Sequence, residues 1–388
     1  MTAHLVVHHE GRAVGDLRQR GDESLEFAYR TGWLGDATAF PISLWLPLRA
    51  EPFDDRTTRA GFGGWLPLAL GQEFAGALSL HPPDEAPSSA DTDEPARPLG
   101  NDELVALLRD ANRSPGHLRP LLAVVDHAQG LALPTASAPS THFVKVPDPT
   151  VEASAQNEFF ALQLAATVGI ETCAVDVRQI DGFAFLLVER FDRQRDRQRS
   201  VRRLLREDLA QALGAPRASV HERAGGPGLA ALFDLLSAHS SRGALDRLAL
   251  LQRTLFAFLL GDGNAHAQNA ALVRTAASVR LAPAFAMKCT LVQTERATPL
   301  AMRIDGCERF DEVSAEHWTR FAATVGLAPP AVRRRLCELA EVLPERARRI
   351  VERDRRLSGN AMLERVVELI AARCRWALDS FGRRGVRS

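Results

Sequence analysis

Lysine is nearly missing from this chain. Of 48 basic residues (Lys plus Arg) among 388, only Lys145 and Lys288 are lysines. Such a bias usually reflects the base composition of a genome rather than function. It makes each surviving lysine informative, because arginine was acceptable nearly everywhere else. Cysteine is sparse too: Cys173, Cys289, Cys307, Cys337 and Cys374 are scattered, odd in number and free of Cys-x-x-Cys spacing. That argues against a disulfide framework and a zinc site, and fits a reducing cytoplasm. Net charge is absent, 48 basic residues against 48 acidic. No global field therefore holds a polyanion, and any nucleic-acid contact must be local. No apolar run approaches the roughly 20 residues of a membrane span, so no membrane partner is expected. The opening "MTAHLVVHHEGRAVG" lacks the basic segment and long apolar run of a signal peptide. Internal repeats are not visible. What remains is ordinary for a globular chain, 46% hydrophobic and 25% charged, enough for two or three domains or a bilobal enzyme with an appended module.

The pattern along the chain is uneven. Residues 1–80 are strand-rich: "HLVVHHEGRAVGDLRQ" predicts a hairpin turning at Glu10-Gly11, and "SLEFAYR" alternates in the same way. Prolines in "AFPISLWLPLR" predict an edge or loop. Residues 82–100 carry Pro, Asp, Ser and Ala without an apolar period, which predicts a flexible linker. "NDELVALLRDA" predicts a short helix. Residues 120–192 then run strand, strand, helix, strand, strand, with Gly169 as helix stop and Asp181-Gly182 as a hairpin turn. Beyond residue 205 the spacing becomes helical. In "AMLERVVELIAARCRW", Leu363, Val366, Val367, Ile370 and Cys374 share one face. The expected organisation is a module over 1–100 with its linker at 82–100, a small β-rich lobe over 101–192, and a helical lobe over 193–388.

Three stretches carry candidate chemistry. Lys145 lies in "THFVKVP", on an alternating strand, and Glu158 lies in the helix that follows. A strand lysine paired with a helix glutamate aligns nucleotide phosphates in kinases. Read alone, the two fit a solvated surface pair better than a functional one, and the scarcity of lysine shifts the balance toward function. "LLVERFDR", residues 186–193, sits where strands give way to helices, where backbone groups can meet an adenine edge. "LLGDGNAHAQNAAL", residues 259–272, has the spacing of a phosphoryl-transfer loop, polar residue, four others, asparagine, but with Asn264 at the position of the base.

These stretches together resemble the HipA family, the kinase-fold toxins of bacterial toxin–antitoxin pairs. The resemblance is carried by "GRAVGDL", "FPISLWLPLR", "APSTHFVKV", "QNE", "LLVERFDR", "EDLAQALG", "GGPGLAALFDLL", "GDGNAHAQN", "LAPAF" and "LAMRIDG", in the family's order. It implies an α+β, protein-kinase-like bilobal fold with a strand-rich N-terminal module. By resemblance, Lys145 and Glu158 match the nucleotide-aligning pair. Glu189, Phe191 and Asp192 match the hinge that grips adenine and ribose. His266 matches the loop histidine, and Asn269 the metal-binding asparagine.

The sequence departs from that pattern at four places. The catalytic aspartate is Asn264, and an amide cannot accept a hydroxyl proton as a carboxylate does. The metal-binding aspartate of the Pro-x-Tyr/Phe segment is Ala286. The phosphate loop is best matched by "SPGHLRPLLAV", residues 114–124, where Arg119 and Leu121 replace polar residues. The loop lysine is Gln268. In the N-terminal module, "GFGGWLPLALGQEFAGAL" lacks a stretch usual in the family. ATP and magnesium are the implied cofactors, and both are weakened by these losses. The expected protein is a HipA-like pseudokinase. It would bind a helix-turn-helix antitoxin of the HipB kind and reach operator DNA through that partner. The alternative is an active Ser/Thr kinase toxin acting on a translation factor such as an aminoacyl-tRNA synthetase. The eight arginines between residues 190 and 206 are read as a salt-bridged loop rather than a DNA contact, because acidic residues are interspersed.

Overall fold

A computed structural model describes residues 4–21, 24–54, 76–85, 94–113, 121–135, 137–147, 150–195, 201–216, 219–275, 277–293 and 299–382. The first sheet contains β1 (His4–His9), β2 (Arg12–Gln19), β3 (Leu25–Tyr29), β4 (Phe53–Asp54) and β5 (Leu78–His81). Their antiparallel order is β4-β3-β2-β1-β5. The predicted hairpin turns at Glu10 and Gly11, both at positive φ (48° and 77°), the turn whose twist matches the strands it joins. Alternation in β3 buries Leu25, Phe27 and Tyr29 against Val14, Leu17, Phe53 and Trp33, the last from the short helix α1 (Thr31–Leu34). Gly15 is required there: a Cβ on it would lie 2.5 Å from the Phe27 ring.

The second sheet adds β6 (Arg97–Pro98), β7 (Leu121–His127), β8 (Gly130–Leu133), β9 (His142–Lys145), β10 (Val175–Ile180) and β11 (Phe183–Glu189), in the order β10-β11-β9-β7-β8-β6. Sequence reading took the stretch from Leu121 to Leu133 as one strand region; it is the hairpin β7–β8, closed at Gly130 with φ +127°. The Asp181-Gly182 turn forms as expected, at φ 44° and 79°. The strand β11 is apolar along most of its length because both faces are covered. Phe185 and Leu187 meet Leu104 and Leu108 of α2 (Asn101–Arg113), whereas Leu186 joins the core of α3 (Ser154–Thr167). Phe159, Phe160, Leu162 and Leu164 of α3 are almost fully buried.

After the two-stranded ribbon β12 (Arg193–Arg195) and β13 (Val201–Arg203), the chain was expected to be helical throughout. It instead forms a three-stranded sheet, β14 (Leu205–Asp208), β15 (Ala271–Thr275) and β16 (Ser278–Leu281), around the helices α4 (Leu209–Ala212), α5 (Leu229–His239) and α6 (Gly243–Leu260). Period-two alternation was hidden there because charged residues point inward: Glu207 and Arg274 are both buried, and pair at 3.1 Å. Glu207 also accepts from Ser43 Oγ (2.9 Å) and Leu44 N (3.2 Å), which fastens the N-terminal module to the large lobe. Three further helices, α7 (Ala315–Thr324), α8 (Pro329–Arg353) and α9 (Ala361–Gly382), complete the fold. Leu363, Val366, Ile370 and Cys374 of α9 are fully buried and Val367 half-buried, the face expected from spacing. Among the described residues, no helix is long and apolar enough to cross a membrane.

Candidate functional site

The site lies between the second sheet and the loop that follows α6. Lys145 ends β9, and the register β11-β9-β7 sets it opposite Leu186 and Leu121. Its Nζ donates to Glu158 Oε2 at 2.5 Å. Glu158 is buried, on the first turns of α3 beside Phe159 and Phe160. The expected pair is therefore assembled, with the lysine side chain 35% exposed and the glutamate 7%.

The hinge is partly as expected and partly turned inward. Glu189 is exposed at the end of β11, its N–H bonded to Ala174 O at 2.9 Å. Phe191 stacks on Phe285 with centroids 5.4 Å apart, and the Arg206 guanidinium lies over both rings at 4.9 and 5.3 Å. Asp192, matched by resemblance to a ribose contact, is 1% exposed. Arg190 grips it from Nε and a terminal nitrogen, both at 2.9 Å, and Gly76 N–H adds a bond at 2.6 Å. Burial alone would raise its carboxyl. The charges of Arg190, Arg193 and Arg206 outweigh that and hold it well below the usual carboxylate range. Within the arginine-rich stretch, Arg190 is also stacked over Phe143 at 4.1 Å, and Arg193 bonds Gly76 O at 2.9 Å. These arginines are structural; residues 196–200 lie outside the described part.

Gly261, at φ +81°, ends α6 and turns the chain into the loop. Asp262 is 3% exposed: Oδ1 accepts the Asn264 N–H (3.0 Å) and Oδ2 the Lys288 N–H (3.3 Å). Burial pushes its carboxyl up to about 7, against the pull of those two N–H groups and of the Lys288 charge. The main-chain carbonyl of Asn264 accepts from Asn269 Nδ2 at 2.7 Å, so the Asn269 side chain braces the loop. His266 is 9% exposed, its Nδ1 without a partner among the described residues. Burial, then the neighbouring His221 and Lys288, push it down to about 4, so it is neutral at physiological pH.

Across from this loop, Ala286 holds φ +55°, a left-handed conformation that alanine adopts at a cost of about 1–2 kcal/mol and that aspartate or asparagine tolerates better. The neighbouring backbone is clamped to α3: Asn157 Nδ2 donates to Cys289 O (2.8 Å), and the Cys289 N–H returns to Asn157 Oδ1 (2.9 Å). Asp262, His266, Asn269, Phe285 and Ala286 line a cavity of about 70 Å³ whose other lining residues are mostly apolar. Among possible magnesium donors, Asn269 brings a neutral oxygen and Ala286 none. The oxygens of Asp262 are committed to backbone amides, and Glu158 to Lys145.

The structure thus joins Lys145 with Glu158, and Asn264 with Asn269, and withdraws Asp192 into a buried ion cluster. Sequence reading missed Lys288, which the scarcity of lysine had already marked. It also missed Phe285 and the Asn157 clamp, for which no local signal exists. The phosphate-loop match falls on residues 114–124, of which 114–120 lie outside the described residues, as do 61–75 of the altered N-terminal stretch.

Comparison with known proteins gives a consistent placement. Residues 115–347 match the HipA-like C-terminal domain and residues 5–68 the HipA N-terminal domain. The chain is 33% identical over 385 residues to the protein Y4mE of Sinorhizobium fredii, spanning 88% of this chain and 90% of that one. It is 26% identical over 287 residues to the serine/threonine-protein kinase toxin HipA of Shewanella oneidensis, spanning 68% of this chain and 64% of that one. Among solved structures, a Shewanella oneidensis HipA, from a complex of HipA, HipB and operator DNA, superposes with TM-score 0.83. It has 21% identity, over 99% of this chain and 100% of that one. The architecture is accordingly the kinase-like bilobal fold with a strand-rich N-terminal module.

Proposed function

The chain belongs to the HipA family of toxin–antitoxin kinase-fold proteins, and on that premise we propose that it is a pseudokinase that acts by binding. The single observation that carries the reading is the donor set of the cleft, with Asn264 and Asn269 on the loop and Ala286 lining the same cavity as Asn269. Where a kinase needs a proton acceptor and a charged metal ligand, the cleft offers two amides and a methyl group. Loss of a general base alone costs about 10²–10⁴-fold in rate. The proposed partner is a HipB-like helix-turn-helix antitoxin, with operator DNA reached through it. The family membership supports this, as does the fold shared with a HipA found alongside HipB and DNA. Such a role needs the outer surfaces and not the cleft.

One observation favours the second reading, an active kinase: Asp262 titrates near neutrality, as a general base should. Geometry opposes it. Both oxygens take backbone N–H groups, and the residue is buried beneath the loop. Incubation with labelled ATP, Mg²⁺ and a panel of translation factors separates the readings. The pseudokinase reading expects no transfer above background. Transfer that disappears in Asp262→Asn would overturn it. Co-purification with a helix-turn-helix protein, and operator retardation only by the pair, are the expected binding results.

A further inference from the structure

Arg190 and Arg193 turn inward to Asp192 and Gly76, and a denser cationic surface lies elsewhere, on α8. We propose that the groove between α3 and α8 binds a small molecule carrying two or more clustered phosphates. The groove is outside the cleft between the lobes, and the inference does not depend on the pseudokinase reading.

Five arginines line this groove of about 520 Å³: Arg346, Arg349, Arg353, Arg355 and Arg356, with Asp354 as the one carboxylate among them. Arg346, Arg349 and Arg353 recur at intervals of three and four, so they share one face of α8. The facing wall is the end of α3, at Gln163 and Thr167. Like charges at such spacing repel, in a chain whose net charge is zero. Elsewhere on α8 the arginines are matched: Arg334 and Arg335 pair with Glu338, and Arg348 with Glu345. In the groove the matching runs out. Arg349 shares Glu345, at 2.7 Å. Arg353 and Arg355 are exposed and, among the described residues, their side chains make no hydrogen bond or ion pair.

The groups that would oppose an anion are already engaged. Arg356 holds both oxygens of Asp354, at 2.9 and 2.6 Å. It also reaches Asp176 of β10 at 2.6 Å and lies over the Phe159 ring at 4.3 Å, so its guanidinium is fixed in place. The carbonyl end of α3 carries partial negative charge, and donors cover it. Arg346 donates to Thr167 O. Gln252 Nε2 and Arg335 donate to Val168 O, at 2.9 and 3.4 Å. Arg349, Arg353 and Arg355 are left to meet a ligand.

Guanidinium binds phosphate through two parallel N–H groups, and several converging guanidiniums favour several phosphates. The groove falls in the range of small-molecule sites, roughly 300–1,000 Å³. Ile350 offers an apolar surface to the body of such a molecule. A nucleic-acid duplex presents its phosphates on a convex cylinder, which a recess between two helices fits poorly.

The probe is inorganic tripolyphosphate, titrated calorimetrically into the full chain in EDTA and about 0.15 M salt. One molecule per chain is expected to bind, more tightly than orthophosphate or sulfate. Arg353→Gln combined with Arg355→Gln should weaken it about tenfold or more without moving the unfolding midpoint, since neither side chain holds a partner. Arg334→Gln combined with Arg348→Gln removes the same charge outside the groove and should leave the affinity unchanged. Equal affinity in the two double variants would overturn the inference. So would tripolyphosphate binding no tighter than orthophosphate or sulfate, or not at all. A DNA duplex held by these arginines in place of tripolyphosphate would also overturn it, and give the surface to nucleic acid.

Discussion

The two walls of the cleft differ in how far their polar residues are tied into the core. On the small-lobe wall, Glu158 shares its helix turn with Phe159 and Phe160, both fully buried, and pairs with Lys145 at 2.5 Å. On the large-lobe wall, Asn264 and Ala286 are half-exposed and support little packing. A carboxylate there can become an amide or a methyl without opening a cavity, because large destabilisations come from buried volume and buried charge. Removing Glu158 would instead strand an ammonium at the edge of an apolar helix. Chemistry can thus be lost from one wall while the geometry of the other persists, because the fold needs one and not the other.

The most severe test of that contrast is to place carboxylates on the large-lobe wall. Asn264→Asp combined with Ala286→Asp should raise transfer of labelled phosphate from Mg²⁺-ATP by about 10²-fold or more, the general-base contribution alone being 10²–10⁴. No gain would mean that these two positions are not what limits phosphate transfer. Next in size is the hinge cluster. Asp192→Ala leaves the buried Arg190 and Arg193 without their counter-charge, and should cost about 3–5 kcal/mol in urea unfolding. A loss below 1 kcal/mol would show that Asp192 is free to serve a ligand. Third is a pH effect. The folded pKa of Asp262 is raised from 3.8 to about 7, so it costs stability as pH rises through that window, and the cost is complete above it. His8, His9, His81, His142 and His266 are lowered, and act in the opposite sense as pH falls below 6.5. Comparison with Asp262→Asn isolates the carboxyl. The variant should be more stable than the parent at pH 8, by an amount on the order of a few kcal/mol, and no more stable near pH 4. The smallest effect is at Ala286. Ala286→Gly relieves a left-handed alanine and should gain about 1 kcal/mol.

Much of this was legible in residues whose local preferences agree with the fold. Glu10-Gly11 and Asp181-Gly182 allow few conformations other than the tight turns they form. Leu363, Val366, Ile370 and Cys374 could share a face only in a helix. Legibility failed where polar groups point inward. The sheet β14–β15–β16 was hidden because Glu207 and Arg274 satisfy one another inside it. At the hinge, the run Arg190-Phe191-Asp192-Arg193 does not say whether the aspartate faces a ligand or its own neighbours; burial decided that in favour of Arg190. The partnership of Asn157 with Cys289 spans 132 residues, and no periodicity reports it.

That last contact has a mechanical consequence. Many enzymes of this shape are throttled by swinging the glutamate-bearing helix away from the nucleotide and back. Here Asn157 welds α3 to the far side of the cleft through both polar atoms of one buried amide. Swinging the helix outward would orphan two peptide groups at once. The helix is held as a fixed shelf, and its lysine–glutamate couple stays assembled whether or not anything rests on it.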